Sequence, residues 1–282
     1  MSKTFLITGV STGLGRAIAT EALHAGHTVV GTLRDPEQIK DFESLAPGRA
    51  HGRVMDVTDH DQVTTVVEEV TEAVAPIDVL VNNAGYGVEG TLEEASLADA
   101  RAQFDVNVFG VIAVTKAVLP SMRERRTGHV FFITSMGGLR AFAGLSLYHG
   151  SKYAVEGIAD SLRPEVAPFG IRVTSVEPGS FRTDWAGRSM HRVERCIPDY
   201  DEVFGPIREN RLAISGNQLG DPAGAGRALL AVLDAPDPPG HLLLGSDAVR
   251  LVTQARTAVD EEFAHWHELS VSTDLPDGKV IA

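Results

Sequence analysis

The stretch that decides the fold reads Thr8-Gly9-Val10-Ser11-Thr12-Gly13-Leu14-Gly15 and joins an apolar run to a helical pattern. Phe5–Thr8 is predicted to be a buried strand, and Leu14–Ala25 a helix that stops at Gly26. Glycines spaced G-x-x-x-G-x-G let the backbone turn tightly and approach a bound group. The free N–H groups of a helix N-terminus favour an anion. The stretch therefore predicts a strand–turn–helix unit that holds the phosphates of a nucleotide.

The alternation of short apolar runs and helical patterns continues along the whole chain. The predicted strands are Phe5–Thr8, Thr28–Thr32, Val54–Met55, Val79–Val81, Val130–Thr134, Val173–Val176 and Leu242–Leu244. The predicted helices are Leu14–Ala25, Asp61–Val74, Leu97–Met122, Tyr148–Ala167 and Pro222–Leu233. Pro120 and Pro168 are interpreted as markers near the ends of two of them. Consecutive apolar residues are typical of strands that are buried on both faces of a parallel sheet. We therefore predict an α/β fold: a single Rossmann-type doubly wound parallel sheet of about seven strands with helices on both faces.

The chain has 282 residues, of which 43% are hydrophobic and 22% charged, as in a globular protein. Because no repeat or linker interrupts the alternation, residues 1–282 are interpreted as one domain with an irregular substrate loop over 185–220 and a C-terminal extension over 248–282, helical to about Leu269.

The apolar residues of the loop indicate either a pocket for a bulky substrate or a pin that holds the loop: Trp185, Met190, Ile197, Tyr200 and Phe204. Its arginines stand among acidic residues and are interpreted as a solvated face: Arg188, Arg192, Arg195, Arg208 and Arg211.

The charge balance excludes some classes of partner. With 25 basic and 38 acidic residues, the formal net charge is −13, which argues against nucleic acid as a ligand. The single Cys196 cannot form an internal disulfide, and we expect neither the N-terminus nor any other segment to have an apolar run long enough to span a membrane. We therefore expect a cytoplasmic protein without a membrane partner.

A second motif, Tyr148-His149-Gly150-Ser151-Lys152, begins a predicted helix. Residues four apart lie on one helical face, so the Tyr148 and Lys152 side chains can converge on one ligand. An ammonium group beside a phenol stabilises the phenolate and lowers its pKa, which suits the phenol to acid–base chemistry. A Tyr-x-x-x-Lys pair also arises by chance on amphipathic helices, so it needs support from other residues.

That support comes from polar residues that follow other strands, at the sheet edge where open α/β folds bind ligands. Asn82-Asn83-Ala84-Gly85 follows Val79–Val81, Ser135 follows Val130–Thr134, and Pro178-Gly179 follows Val173–Val176; these residues are candidates for one site. Asn107 stands in the middle of a predicted helix among apolar residues, where a polar side chain needs a partner.

Together these motifs make the sequence, from about Lys3 to Gly245, similar to the short-chain dehydrogenase/reductase family. Asn82–Glu94 and Gly128–Thr183 most resemble its 17β-hydroxysteroid dehydrogenase-like and retinol dehydrogenase-like members. The resemblance implies that Ser135 binds the substrate oxygen and that Tyr148 is the general acid or base. It implies that Lys152 holds the nicotinamide ribose and lowers the pKa of Tyr148, and that Asn107 supports a proton relay through water.

The same resemblance implies the cofactor contacts. They are Gly9, Ser11, Thr12, Gly13 and Leu14 in the glycine turn; Asp56 and Val57 at the adenine; Asn83, Ala84 and Gly85 at the adenosine and ribose; Tyr148 and Lys152; and Pro178, Gly179 and Thr183 at the carboxamide. His149 departs from the small residue that the family more often has there, and it is expected near the mouth of the site.

The choice of cofactor depends on the residues that end the second strand. Leu33 occupies the position where NAD-preferring members of the family carry Asp, and Arg34 can meet a 2′-phosphate with charge-assisted hydrogen bonds. Asp35 complicates this interpretation, because it could pair with Arg34 or repel a phosphate. Thr12 stands where some NADP enzymes have Arg. We expect NADP(H) as the cofactor, rather than NAD.

The sequence thus predicts an NADP(H)-dependent oxidoreductase, a carbonyl reductase or alcohol dehydrogenase acting on a bulky or apolar ketone or secondary alcohol. No metal is expected. The alternatives are an NAD-dependent alcohol dehydrogenase of the same family and a catalytically silent nucleotide-binding module. A halohydrin dehalogenase-like lyase is disfavoured because Lys152 stands where such relatives have Arg. The family further implies a homodimer or homotetramer.

Overall fold

The first strand, β1 at Thr4–Thr8, is buried over its whole length in the computed structural model, which describes residues 2–279. It pairs in parallel with β2 at Thr28–Leu33 and with β4 at Val79–Asn82. The other strands are β3 (Ala50–Val54), β5 (Gly87–Glu89), β6 (Gly128–Ile133), β7 (Ile171–Pro178), β8 (Met190–Arg192) and β9 (His241–Leu244). The central sheet is parallel, in the order β3-β2-β1-β4-β6-β7-β9, and confirms the predicted doubly wound sheet of seven strands.

Helices cover both faces of this sheet. They are α1 (Gly13–His24), α2 (Ile39–Glu43), α3 (His60–Ala73), α4 (Leu97–Phe104), α5 (Val111–Arg125), α6 (Ser146–Val166), α7 (Asp201–Ile214), α8 (Pro222–Leu233), α9 (Ser246–His265) and α10 (His267–Val271). On one face, Phe5 and Ile7 of β1 are buried with residues of α1 and α8. On the other face, Leu6 is buried with residues of α3, α5 and α6. The period of two along each strand therefore supplies two separate cores.

The third strand lies earlier in the chain than predicted. It spans Ala50–Val54 instead of Val54–Met55, and Met55 follows it with its N–H donated to the Leu33 carbonyl at 2.9 Å. This strand is at the edge of the sheet, where His51 and Arg53 are only partly buried. An edge strand needs no continuous apolar run, so its pattern is weak in the sequence.

The predicted helix Leu97–Met122 is three helical segments: α4, a π-helix over Asp105–Gly110, and α5. Pro120 lies inside α5, which ends at Arg125, three residues beyond the predicted Met122. Within residues 2–279, Leu97–Arg125 is one run long and apolar enough by composition to cross a membrane, with a mean hydropathy of 1.4. The prediction that no segment reaches that length is therefore wrong. Val114 and Val118 of this run are buried in the core of the sheet.

The segment 185–220 is more regular than predicted. It contains β8 and the 14-residue helix α7, and β8 pairs in parallel with β5 as a second, two-stranded sheet. The prediction of an irregular loop is therefore wrong. Gly205 and Pro206 inside α7 obscure its helical pattern in the sequence. The predicted helical tail is confirmed by α9 and α10.

Candidate active site

A cavity of about 1700 Å³ opens at the carboxyl end of the central strands. It is lined by the predicted residues Gly9, Ser11, Thr12, Gly13, Leu14, Arg34, Asp56, Val57, Asn83, Ala84, Gly85, Ser135, Tyr148, Lys152, Pro178, Gly179 and Thr183. Among the predicted residues within 2–279, Asn107 does not reach the lining. The other predicted residues come together because parallel strands end at one edge of a sheet.

The turn after β1 holds two glycines in left-handed backbone conformations, with φ of 73° at Gly9 and 63° at Gly13. The Asn83 amide fastens this turn, because its Nδ2 donates to the carbonyls of Thr8 at 2.9 Å and Gly9 at 3.0 Å. Within residues 2–279, the Thr12 hydroxyl at the start of α1 makes no capping bond to the helix. The first N–H groups of α1 are thus left for an anionic ligand.

Gly15, the last glycine of the motif, has no room for a side chain. A Cβ added there would lie 2.3 Å from Asn83 Nδ2 and 2.3 Å from the Gly9 carbonyl oxygen. We expect Gly15→Ala to displace the turn, lowering the free energy of unfolding by about 1–3 kcal/mol and weakening cofactor binding. Urea unfolding and fluorescence titration measure both. Gly157→Ala on α6 is the control, since a Cβ there meets nothing within 4 Å in the described chain. A Gly15→Ala protein as stable as the wild type would contradict this account.

Arg34 and Asp35 follow β2 and both line the cavity. Asp35 Oδ1 accepts the N–H of Glu37 at 2.9 Å, so it caps the short helix Pro36–Gln38. Burial raises the pKa of Asp56, but hydrogen bonds from Thr58 and the charge of Arg34 outweigh it, so the pKa lies below its usual value. The Arg34 guanidinium therefore faces the same end of the cavity as Asp56.

Tyr148 and Lys152 lie one turn apart on α6. Lys152 Nζ donates to the Ile133 carbonyl at 2.8 Å and lies 5.8 Å from the centre of the Tyr148 ring. Burial raises the pKa of Tyr148 to about 12, opposed by a hydrogen bond with Ser135. Burial lowers the pKa of Lys152 to about 8, opposed by the charge of Glu156. The prediction that the pKa of Tyr148 is lowered overall is therefore wrong. Burial among the protein residues raises this pKa and keeps the phenol protonated at neutral pH.

Asn107 lies in the π-helix, and its side chain is fully engaged there. Oδ1 accepts the N–H of Tyr86 at 3.1 Å, while Nδ2 donates to the Tyr86 carbonyl at 3.0 Å and to Ser151 Oγ at 3.1 Å. Ser151 Oγ in turn donates to the Tyr148 carbonyl at 2.7 Å. The predicted need for a polar partner is confirmed, and the partners are the Tyr86 backbone and the Ser151 hydroxyl. A part for Asn107 in a proton relay stays a prediction.

His149 lines the cavity but is 4% exposed, so it does not stand at the mouth as expected. Its ring is bonded to the loop that follows Ser135. The apolar walls of the cavity are Phe142, Leu145, Trp185, Met190, Ile207 and Ile214.

The apolar residues predicted from segment 185–220 divide into two groups. Trp185 and Met190 line the cavity, and the Trp185 ring centre lies 5.1 Å from that of Tyr148. In the described chain Ile197, Tyr200 and Phe204 are not part of the lining. Phe204 is buried against Gly144 instead, which fixes α7 to the body. Both alternatives, pocket wall and pin, are therefore realised by different residues.

The arginines of this segment were predicted to form a solvated face, which holds for the exposed Arg188 but is wrong for the other four, whose side chains are mostly buried. Glu89 of β5 is fully buried and forms ion pairs with Arg192 at 2.9 Å, Arg208 at 3.7 Å and Arg211. Arg208 and Arg211 are three apart on α7 and so share one face. We call these four residues the Glu89 cluster. It joins β5, β8 and α7 around one carboxylate.

A second carboxylate, that of Glu94, binds the same segment. It accepts the N–H groups of Cys196 at 2.8 Å and Ile197 at 3.0 Å and pairs with Arg195 at 3.2 Å. Desolvation raises the pKa of Glu94, but these bonds and one from Thr91 outweigh it and lower the pKa to about 2. The segment is therefore held over the cavity by acidic residues of the stretch that follows β4.

Arg188 reaches from the same segment to the glycine turn. Its Nη2 donates to Thr12 Oγ1 at 2.8 Å, and its Nε lies 3.7 Å from Asp184. The segment and the glycine turn are thus in contact.

One polar cluster lies outside this cavity. Glu156, Glu177 and His241 each offer a ligand atom within 4.8 Å of the others, although no motif in the sequence joins them. His241 Nδ1 lies 2.8 Å from Glu177 Oε1, and burial with the charge of Glu156 raises the pKa of Glu177 to about 7. The expectation of no metal rested on spacing along the chain, which cannot detect residues from α6, β7 and β9.

The glycine turn and the Tyr148–Lys152 pair belong to a stretch that matches a known family. Residues 3–193 match the model described as short chain dehydrogenase. The chain belongs to the short-chain dehydrogenase/reductase family. It is an oxidoreductase, and similar proteins extend the match beyond residue 193.

Three similar proteins illustrate the extent of this match. Oxidoreductase BOA17 of Botryotinia fuckeliana (strain B05.10) is 39% identical over 274 residues, covering 97% of this chain and 100% of that protein. A short-chain dehydrogenase from Streptomyces avermitilis is 42% identical, with a TM-score of 0.91 over 97% of this chain and 98% of that chain. ElxO with NADP bound is 26% identical, with a TM-score of 0.74 over 89% of this chain and 100% of that chain.

Proposed function

We propose that this family member transfers a hydride between NADP(H) and a ketone or secondary alcohol with a bulky or apolar frame. The observation that carries the cofactor choice is Arg34, a cation that lines the cavity directly after β2. Leu33 before it has no carboxylate to bind a ribose hydroxyl, and Asp35 after it caps Glu37. The similarity to ElxO, a structure with NADP bound, supports the same choice.

The residues of the cavity fit a nicotinamide dinucleotide. The N-terminus of α1 suits the pyrophosphate, Arg34 suits a 2′-phosphate, and Lys152 suits the ribose hydroxyls. When bound, the nicotinamide supplies or takes up the hydride.

The protein residues supply the proton and the hydrogen bonds. Tyr148, whose pKa of about 12 keeps it protonated, holds the proton that the substrate oxygen receives in reduction; in oxidation the Tyr148 phenolate takes that proton from the substrate hydroxyl. Ser135 donates a second hydrogen bond to that oxygen as negative charge develops. Phe142, Trp185 and Met190 surround the reacting end with apolar surface, which suits a bulky ketone.

The cofactor assignment is tested by Arg34→Gln. Loss of a charged hydrogen-bonding partner costs about 1.5–3 kcal/mol, so we expect the KM for NADPH to rise roughly 10- to 150-fold while the KM for NADH stays unchanged. Steady-state rates with both cofactors and a series of aryl ketones beginning with acetophenone measure this difference. In the wild type we expect kcat/KM to be higher with NADPH than with NADH.

Lys40→Gln is the matched control, because Lys40 is an exposed cation on α2 that lies outside the cavity lining in the described chain. It should change neither KM. A wild type that prefers NADH, or an Arg34→Gln protein that uses NADPH as well as before, would favour the NAD-dependent alternative. Nucleotide binding without turnover of any ketone or alcohol in the series would favour the silent module.

A homodimeric or homotetrameric assembly and a cytoplasmic location are part of the same proposal. Size-exclusion chromatography with light scattering tests the assembly. Fractionation of cells that express the chain tests the location.

A further inference from the structure

His149 follows Tyr148 directly on α6, and both of its ring nitrogens are engaged. Nδ1 lies 2.8 Å from the Gly137 carbonyl oxygen, and Nε2 lies 3.0 Å from the backbone nitrogen of Phe142. Because a backbone N–H can only donate, Nε2 is the acceptor from Phe142. The proton of the neutral ring then sits on Nδ1 and is donated to Gly137. One tautomer of the neutral ring satisfies both contacts.

Gly137 connects this ring to Ser135. It belongs to the short helix Met136–Gly138, and its N–H donates to Ser135 Oγ at 2.9 Å. Since Ser135 Oγ accepts this bond, its own hydrogen is left to be donated. A Cβ at Gly137 would lie 2.6 Å from His149 Nδ1 and 3.2 Å from Ser135 Oγ, so the three groups are packed together. Gly137 thus links His149 to Ser135: its carbonyl binds the His149 ring, and its N–H binds the Ser135 hydroxyl.

The His149 ring also contacts Phe142, in the loop that follows Ser135. Phe142 is part of the cavity wall, and its ring centre lies 5.6 Å from that of His149. The Nδ1 bond therefore acts on the serine end of the loop, and the Nε2 bond acts on the wall.

We propose that His149 is a positioning residue, whose neutral ring holds Gly137 and so fixes the direction in which the Ser135 hydroxyl points. The inference rests on the proposed role of Ser135 at the reacting oxygen. A donor aimed at that oxygen is effective only while its direction is fixed, because reorientation during the reaction costs part of the stabilisation. Loss of the Gly137 bond should therefore lower kcat and leave cofactor binding unchanged.

Two substitutions separate the two bonds. In His149→Asn, an amide nitrogen can take the place of Nδ1 and donate to Gly137, but the side chain is too short for Phe142. In His149→Gln, the amide oxygen can reach the Phe142 N–H, while Gly137 loses its donor. With NADPH and acetophenone, or the better aryl ketone from the series, we expect kcat to fall about tenfold or more in His149→Ala and His149→Gln. His149→Asn should keep kcat within about threefold, and the KM for NADPH should be unchanged in all three.

The Asn and Gln substitutions control for each other, since each removes one hydrogen bond and should lower the unfolding midpoint by a similar amount. Equal kcat values in the two would overturn the proposal, as would full kcat in His149→Ala. NMR of the wild type with ¹⁵N-labelled histidine should show the His149 proton on Nδ1, and a proton on Nε2 would also overturn it. Ser135→Ala distinguishes the two levels of inference. Full kcat in Ser135→Ala contradicts the proposed function, whereas loss there with full kcat in His149→Ala contradicts this inference alone.

Discussion

Tyr148→Phe is expected to lower kcat for ketone reduction by about 10²- to 10⁴-fold, the range found when a general acid is lost. The substitution removes only the hydroxyl group, so the ring keeps its packing beside Trp185, 5.1 Å away between ring centres. With a pKa of about 12, the Tyr148 phenol is fully protonated at neutral pH and ready to donate. The KM and Kd for NADPH should therefore stay within about threefold, and the loss should appear in kcat. Steady-state and single-turnover consumption of NADPH measure it.

Tyr153→Phe is the matched control for this substitution. Tyr153 lies on the same helix, is 47% exposed and is not among the described residues that line the cavity. Its kcat should equal that of the wild type. Undiminished turnover in Tyr148→Phe would remove Tyr148 from the mechanism, and a loss confined to the KM for NADPH would make it a binding residue only.

The buried strands could be predicted because a parallel strand covered on both faces needs apolar residues at every position. Leu6 and Ile7 of β1 show this, since they belong to different cores. The residues around the cavity could be predicted for a related reason. Once the strand ends are known, the topology brings Ser135 and Asn83 to one edge of the sheet. The edge strand β3 lacked this signal, because His51 and Arg53 are partly solvated.

The details of the site depend on tertiary contacts, which the hydrophobic periodicity of the sequence does not reveal. The Lys152 charge could be expected to lower the pKa of Tyr148, but the opposing effect of burial is known only once the cavity walls are placed. Asn107 shows the same limit: its need for a partner is visible in an apolar helix, whereas its partner Tyr86 is 21 residues away. His149 stood out as a departure from the family, and only the loop geometry shows its bonds to Gly137 and Phe142.

Glu89→Gln is expected to lower the free energy of unfolding by about 3–5 kcal/mol, the range for removing one member of a buried ion pair. Glu89 is fully buried, and the substitution keeps its shape while removing the only negative charge of the Glu89 cluster. Arg192, Arg208 and Arg211 would then repel one another in a poorly solvated space. Equilibrium unfolding in urea with circular dichroism measures the change. Glu93→Gln is the control, because Glu93 is exposed and should shift the free energy of unfolding by less than about 0.5 kcal/mol.

The same substitution shows where the Glu89 cluster acts. Its three arginines come from β8 and α7, which carry Met190 and Ile207 into the cavity wall, so their release should affect the segment 185–220 before the sheet. We therefore expect faster proteolysis within this segment and a higher KM for the ketone, with the KM for NADPH changed less. Equal stability of Glu89→Gln and Glu93→Gln would mean that water stabilises the charges of the three arginines to the same extent as the Glu89 carboxylate does. The solvated face first predicted from the sequence would then describe them better than a buried cluster, and the order of the segment would have to come from Phe204 and Glu94.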